Sequence, residues 1–254
     1  MTPLDYKAQA AAALLERRKA RGDLAVWSRT CGFEPARHHL FMIDRLQKVV
    51  SGEIKRLMLF LPPGSAKSTY GSVLFPPWFL AQQPNTAILT CSHSADLAEA
   101  FGRRSRNLIT DHEKTLGYGL KADSQSASRW ETSNGGEFFC AGVGGKIAGR
   151  RADLALIDDP VGSKEDAYSK LMRDKAWDWF NFDFRSRWKP NARCILIQTR
   201  WHEDDLAGRL LREEGDEWEV VRIPLIAEKG DQLGREEGEC LWPDYFTAAD
   251  VRDR

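Results

Sequence analysis

One repeated unit restricts the fold of this chain more than any other feature. A short apolar run ends in polar or acidic residues, and a stretch with helical spacing follows it. The runs are RLMLFL (56–61), NTAILTCS (85–92), EFFCAGV (137–143), ADLALIDDP (152–160), ARCILIQTR (192–200) and EWEVVRIPLIA (217–227). Short apolar runs bounded by turn signals read as buried strands. Strands alternating with helices give an α/β domain with a mainly parallel sheet flanked by helices. In such sheets ligands sit beyond the C-terminal strand ends, where the polar residues of these runs fall.

The helical stretches are 5–21, ARHHLFMIDRLQKVVSG (36–52), STYGSVLFPPWFLAQ (68–82), SADLAEAFGRRSRNLIT (94–110), SKEDAYSKLMRDKAWDWFNFDFRSRW (163–188) and HEDDLAGRLLREEG (202–215). The second carries Leu40, Ile43, Leu46, Val49 and Val50 on one face and stops at Gly52. The third is expected to break at Pro76 and Pro77. The polar, Gly/Ser-rich stretch 117–136 reads as turns. At 254 residues and 42% hydrophobic, the chain can bury a core of one large domain. Lys plus Arg equals Asp plus Glu at 37 each, so any nucleic-acid contact needs a local basic patch rather than bulk charge. The five cysteines lie far apart without a CxxC pair, which argues against a zinc cluster and suits free thiols in a reducing cytoplasm. No run approaches the roughly 20 apolar residues that span a bilayer.

The first strand runs into LMLFLPPGSAKSTYGS (57–72). A phosphate-binding loop works because successive backbone N–H groups and a helix N-terminus point at an anion. Its lysine neutralises β- and γ-phosphate oxygens, and the next hydroxyl binds Mg²⁺. Here Gly64, Ser65, Ala66, Lys67, Ser68 and Thr69 sit between a strand and a helix, but Ala66 stands where the second glycine of Gly-x-x-x-x-Gly-Lys-[Ser/Thr] belongs. Ala66 is small enough to pack closely if its φ is negative. The bland reading is a strand–turn–helix corner with an exposed lysine.

About 90 residues later, LALIDDP places Asp158 and Asp159 at a strand end. Nucleotide hydrolysis needs one carboxylate near Mg²⁺ and another on the attacking water, and adjacent carboxylates supply both. Asp158 is assigned to the metal and Asp159 to the water; the bland alternative is a solvated turn before a proline. CILIQTRWHEDDL puts Thr199 and Arg200 at a third strand end, where a polar residue can sense the γ-phosphate; Thr199 as a helix cap with an acidic first turn is the alternative. His202 with Glu203, Asp204 and Asp205 has poor spacing for a metal site. GGKIAGRRADL supplies Lys146, Arg150 and Arg151 in a glycine-rich loop. They could serve as an arginine finger, touch DNA phosphates or be solvated. Trp177, Trp179 and Trp188, with Arg185 and Arg187, suit core packing better than base stacking.

Together these elements resemble the ATPase domain of large terminase subunits, the DNA-packaging motors of tailed bacteriophages. HHLFMIDRLQKVVSGEIKRLMLFLPPGSAKST resembles the family's first helix, first strand and Walker A loop. TCSHSADLAEAFGRRSRNLI resembles its second strand and helix, and GGKIAGRRADLALIDDP its Walker B segment with the basic loop before it. ILIQTRWHEDDLAGRLL resembles its coupling motif, and LWPDYF the stretch where an ATPase domain hands over to a nuclease. The resemblance implies an ASCE-type P-loop NTPase fold, with residues 1–36 a helical segment, 37–246 the ATPase domain and 247–254 the start of a linker to an RNase H-like nuclease. The chain then reads as an isolated motor domain. ATP and Mg²⁺ are the implied cofactors. Double-stranded DNA, a portal protein, a small terminase subunit and further copies in a ring are the implied partners, in the host cytoplasm and without a membrane.

Two departures from the family pattern matter. Gly64 replaces the arginine, and Ala66 the glycine, of a common Pro-Pro-Arg-His-Gly-Lys-Ser loop, which throws weight onto Arg150 or Arg151. The water-activating residue is often Glu, and Asp159 is one methylene shorter. His39 is a candidate adenine reader, with Gln47 as the other choice; both sit on an amphipathic helix, where a surface or capping role is the bland alternative. A helicase-like translocase and a non-hydrolysing nucleotide- or DNA-binding assembly module remain the alternatives. Only the module predicts that Asp159→Ala leaves every activity unchanged.

Overall fold

The computed structural model describes residues 3–252, so the outermost two positions of the segments expected at 1–36 and 247–254 lie outside the described residues. Two helices, α1 (Pro3–Gly22) and α2 (Leu24–Thr30), lead into α3 (Arg37–Ser51) and strand β1 (Arg56–Phe60). A wide π-helical stretch, Thr69–Leu74, runs straight into α4 (Phe75–Gln82), followed by β2 (Ala87–Ser92), α5 (Ala95–Asp111) and the short α6 (Glu113–Leu116). Strands β3 (Leu120–Gln125), β4 (Arg129–Thr132), β5 (Glu137–Gly142) and β6 (Ala152–Asp158) come next. Helices α7 (Lys164–Tyr168) and α8 (Lys170–Asp178), a second π-helical stretch (Trp179–Phe184) and β7 (Trp188–Gln198) continue the chain. Helix α9 (Leu206–Glu214), β8 (Glu219–Arg222) and α10 (Ala248–Arg252) close it.

The eight strands form one sheet in the order β3-β4-β5-β2-β6-β7-β1-β8. From β5 to β8 every neighbour is parallel. One strand, β7, separates the loop-bearing β1 from β6, the ordering of an ASCE-type P-loop fold. Successive side chains of a strand point to opposite faces. Leu57, Leu59 and Leu61 therefore join Ile88, Leu154, Leu156, Ile195 and Ile197 under α3, α4 and α5. Met58 and Phe60 join Leu89, Ile157 and Leu196 beneath Trp179, Phe180, Phe184 and Leu210 on the other face. Burial on both faces is why these strands read as unbroken apolar runs. Among the described residues no helix is long and apolar enough to cross a membrane, and all five cysteines are free.

Several local expectations are corrected. Residues 120–132 form two antiparallel strands at the sheet edge rather than turns alone; β3 buries none of its residues, which made the stretch look like loop. The long helix expected over 163–188 breaks at Ser169, whose hydroxyl caps α8 by accepting from the Met172 N–H. The last strand is four residues long, and the Ile223 N–H makes its final bond to β1, on Phe60 O at 3.0 Å, where β1 itself ends.

Pro76 and Pro77 do not interrupt the helix after β1. They lie in the first turn of α4 and offer no N–H to the carbonyls four residues back, those of Ser72 and Val73. The buried Ser105 hydroxyl on α5 fills the gap, donating to Val73 O at 3.0 Å and Ser72 O at 3.4 Å. The Trp27 indole N–H donates to Leu74 O at 2.9 Å. Gly71 lets this segment press against β7: a Cβ there would come within 2.2 Å of Ile197 Cδ1. Ser105→Ala should lower the free energy of unfolding by about 1–3 kcal/mol, the usual penalty for stranding buried acceptors. Urea titration reads this, and an unchanged midpoint would contradict it.

Candidate active site

Strands β1, β7 and β6 lie side by side, with Phe60 level with Gln198 and Ile197 level with Asp158. Their C-terminal ends bring together three segments distant in sequence. The Ser68 hydroxyl donates to Asp158 Oδ1 at 3.0 Å. The Ser72 hydroxyl, one helical turn on, donates to Asp158 Oδ2. Lys67 Nζ lies 3.2 Å from Asp159 Oδ2, its side chain only 8% exposed. The Thr199 N–H donates to Asp159 Oδ1 at 2.8 Å, and the Thr199 hydroxyl reaches Leu61 O at 3.5 Å. Two polar groups thus lie side by side, Ser68 and Ser72 on Asp158 and Lys67 and Thr199 on Asp159, joined through neighbouring residues of the chain.

The electrostatics of the two carboxylates differ. Asp158 is fully buried, and burial, with Asp159 beside it, pushes its carboxyl up to about 7. Asp159 keeps partial exposure and a cationic partner. It turns the chain with φ 46, its N–H donating to Ile197 O at 2.8 Å and its carbonyl accepting from the His93 N–H at 3.0 Å. A non-glycine residue held in that region stores strain of the kind concentrated at functional sites. The same turn aims its carboxylate across β7 toward Lys67 and Thr199.

The loop itself bends through two left-handed residues, Gly64 (φ 79) and Ala66 (φ 57). The negative φ expected for Ala66 is therefore corrected: alanine adopts the conformation for which the missing glycine is suited, at a cost of roughly 1–2 kcal/mol. Beneath the loop lie two buried histidines from α3. His39 Nδ1 accepts the Ala36 N–H at 3.0 Å, and its Nε2 meets Ser65 O at 2.9 Å. His38 Nε2 reaches the same carbonyl at 3.3 Å. Burial lowers the pKa of His39 to about 4 and that of His38 to about 3, so both rings are neutral near pH 7. The His39 ring stacks on Tyr70 at 4.1 Å and meets Trp242 edge-on at 4.9 Å. With both ring nitrogens engaged and the ring buried, His39 has no polar atom left for an adenine. Gln47 is also occupied, its Oε1 accepting the Leu24 N–H at 2.8 Å.

Arg150 and Arg151 do not join these groups. They precede β6 at the opposite end of the sheet, and seven strand residues at about 3.3 Å each put their backbones more than about 20 Å from Asp158. The Arg150 guanidinium lies 4.6 Å above the Phe139 ring, and Arg151 donates to Ser186 O at 3.1 Å. Lys146 is exposed. Trp179 is core, and Trp188 packs on Arg56 and Phe180. Among the described residues no three His, Cys, Asp or Glu side chains are grouped to hold a metal. His202 Nδ1 instead accepts the Asp204 N–H at 2.9 Å.

Ser72 and Gln198 were missed in the sequence, as were the partners of Arg200, Asp204 and Asp205. Ser72 stands four residues after Ser68, the helical spacing that puts both hydroxyls on one side; that signal was legible. Gln198 Nε2 and Arg200 Nε both donate to Asp205 Oδ2, at 2.9 and 2.8 Å, while Asp205 Oδ1 caps α9 through the Gly208 N–H. Asp205 thus fixes the loop after Thr199 rather than forming an acidic first turn. Asp204, just before α9, is held well below the usual carboxylate range by Arg209 and Arg212 of α9 and by Arg173 of α8, the last a contact that spacing does not reveal.

Residues 58–253 match the family model described as terminase large subunit, T4likevirus-type, N-terminal. No curated protein matches the chain significantly. Among solved structures the chain is similar to the large terminase of bacteriophage HK97, at 14% identity over 77% of this chain and 40% of that one, with a TM-score of 0.48. It is also similar to the large terminase of a thermophilic bacteriophage in complex with ATP-gamma-S, at 12% identity over 70% of this chain and 43% of that one, with a TM-score of 0.44. The chain therefore spans about two fifths of the length of these terminases.

Because Ala66 is held at positive φ, Ala66→Gly should stabilise the fold. The strain relieved exceeds the entropy that glycine adds to the unfolded chain, for a net gain of about 0.5–1 kcal/mol. A denaturant midpoint that falls would mean the loop does not keep this conformation in solution.

Proposed function

The chain belongs to the T4likevirus-type family of terminase large subunits, matching its N-terminal model over residues 58–253, and we propose that it is the ATPase motor domain that drives double-stranded DNA into a procapsid. The observation that carries this reading is the gathering of Lys67, Ser68, Asp158, Asp159 and Thr199 at three adjacent strand ends. A strand–turn–helix corner with an exposed lysine would give neither the burial of Lys67 nor its pairing with a carboxylate from a distant strand end.

In this reading residues 37–246 are the ATPase unit, braced by the helices of 1–36, with 247–254 leading toward a nuclease. Backbone N–H groups of residues 64–69 and the Lys67 ammonium hold the phosphates of ATP. The donors Ser68 Oγ and Asp158 Oδ1, 3.0 Å apart, suit Mg²⁺, which takes one or two carboxylates and completes its shell with water and phosphate oxygens. An ion held there would supply positive charge against the phosphates. Asp159 orients the attacking water and accepts its proton; for that Lys67 must leave Asp159 for the phosphates. Thr199, bonded to both Asp159 and the Leu61 carbonyl, relays the change to the loop before α9.

Arg150, or second to it Arg151, supplies positive charge to a neighbouring copy, because the length of β6 keeps it from its own loop. Ring assembly, a portal protein and a small terminase subunit complete the proposed machine, which works in the host cytoplasm. The test is steady-state ATP hydrolysis across a wide protein concentration range. Turnover should rise faster than linearly with protein and vanish in Lys67→Ala and Arg150→Ala. Asp159→Ala should keep ATP binding and lose about 100-fold or more in turnover. Absence of both turnover and ATP binding in the unaltered protein would overturn the proposal.

A further inference from the structure

We propose that His39, seconded by His38, is a positioning residue that sets the direction of one peptide in the phosphate loop, so that the Ala66 N–H faces a bound triphosphate. The inference rests on reading residues 64–69 as the nucleotide loop. In a trans peptide the C=O and the following N–H point in opposite directions, and the described residues include no cis peptide. The Ser65 carbonyl points down, onto His39 Nε2 at 2.9 Å and His38 Nε2 at 3.3 Å. The N–H of the same peptide, that of Ala66, therefore projects to the other side of the loop.

Two further observations show that this grip is built rather than incidental. The Ala36 N–H donates to His39 Nδ1, which leaves the ring proton on Nε2, the atom facing Ser65 O. The ring cannot swing away, being stacked on Tyr70 and closed off by Trp242. His38 and His39 are 0% and 1% exposed. Moreover, the hydroxyl of Ser65 is buried without a hydrogen-bond partner, so the pair grips the main chain and not the side chain. The grip also explains how alanine serves at position 66. Alanine does not favour φ 57, and a flip of the Ser65–Ala66 peptide would relieve it. His39 withholds that escape, because the flip would bury an unpaired imidazole N–H.

His39→Gln keeps an N–H donor at the reach of Nε2, whereas the shorter His39→Asn cannot touch Ser65 O. Mg-ATP and inorganic triphosphate with Mg²⁺ are titrated calorimetrically into the unaltered protein and both variants. His39→Asn should weaken both ligands tenfold or more by the same factor, and His39→Gln should stay within threefold. In hydrolysis His39→Asn should raise KM and leave kcat within twofold. Equal affinity in His39→Asn, or an equal loss in both variants, overturns the inference. Should His39→Asn fail to fold, the unaltered protein labelled with ¹⁵N-alanine decides: the Ala66 amide resonance must shift when Mg-triphosphate is added, and an unmoved resonance rejects the proposal. Failure of the unaltered protein to bind Mg-ATP at all would instead remove the nucleotide reading beneath it.

Discussion

A buried ammonium group needs a counter-charge, and the Lys67–Asp159 pair meets that requirement here. The pair forms only if β1 and β6 end at the same level with one strand between them, which is what the parallel ladder through β7 provides. It also requires Asp159 to turn left-handed, because an extended residue would send its carboxylate away from the loop. Thr199 then stands between the two partners and holds one carboxylate oxygen by its N–H. Sheet order, backbone strain and side-chain chemistry are thus consequences of one electrostatic demand.

The second carboxylate obeys a different logic. Asp158 lies at the level of Ile197 with no solvent, and two serine hydroxyls satisfy its oxygens. Its carboxyl is pushed up by burial and by its acidic neighbour, whereas Asp159 keeps contact with solvent and with a cation. Adjacent residues at one strand end therefore occupy different environments, because Asp158 ends β6 and Asp159 leaves it through a left-handed turn. In the proposed mechanism that separation fits Asp158 to a hard cation and Asp159 to a water molecule.

Much of this was legible in the sequence. Apolar runs gave the strands because burial on both faces leaves no place for polar residues in them, and the acids and hydroxyls at their ends gave Lys67, Ser68, Asp158, Asp159 and Thr199. Conformation was less legible. The sign of φ at Ala66 depends on a carbonyl gripped from α3, a contact across 26 residues that no local pattern encodes. His39 read as a ligand-facing residue or as a surface or capping residue of its helix; its Nδ1 does cap α3 through the Ala36 N–H, and its Nε2 meets a loop carbonyl that no local pattern announces. The prolines of α4 read as a break because their missing donors are replaced by Ser105, which lies on the next long helix. The edge strands β3 and β4 were lost to composition, since exposure there removes the apolar signal.

The most direct test of the central claim is a crystal structure of the domain with Mg²⁺ and a slowly hydrolysed ATP analogue. The triphosphate should lie over residues 64–69, with Lys67 Nζ moved from Asp159 to a phosphate oxygen and Asp159 free to face a water. Nucleotide seated elsewhere, or Lys67 still on Asp159 beside an empty loop at saturating analogue, would contradict that claim.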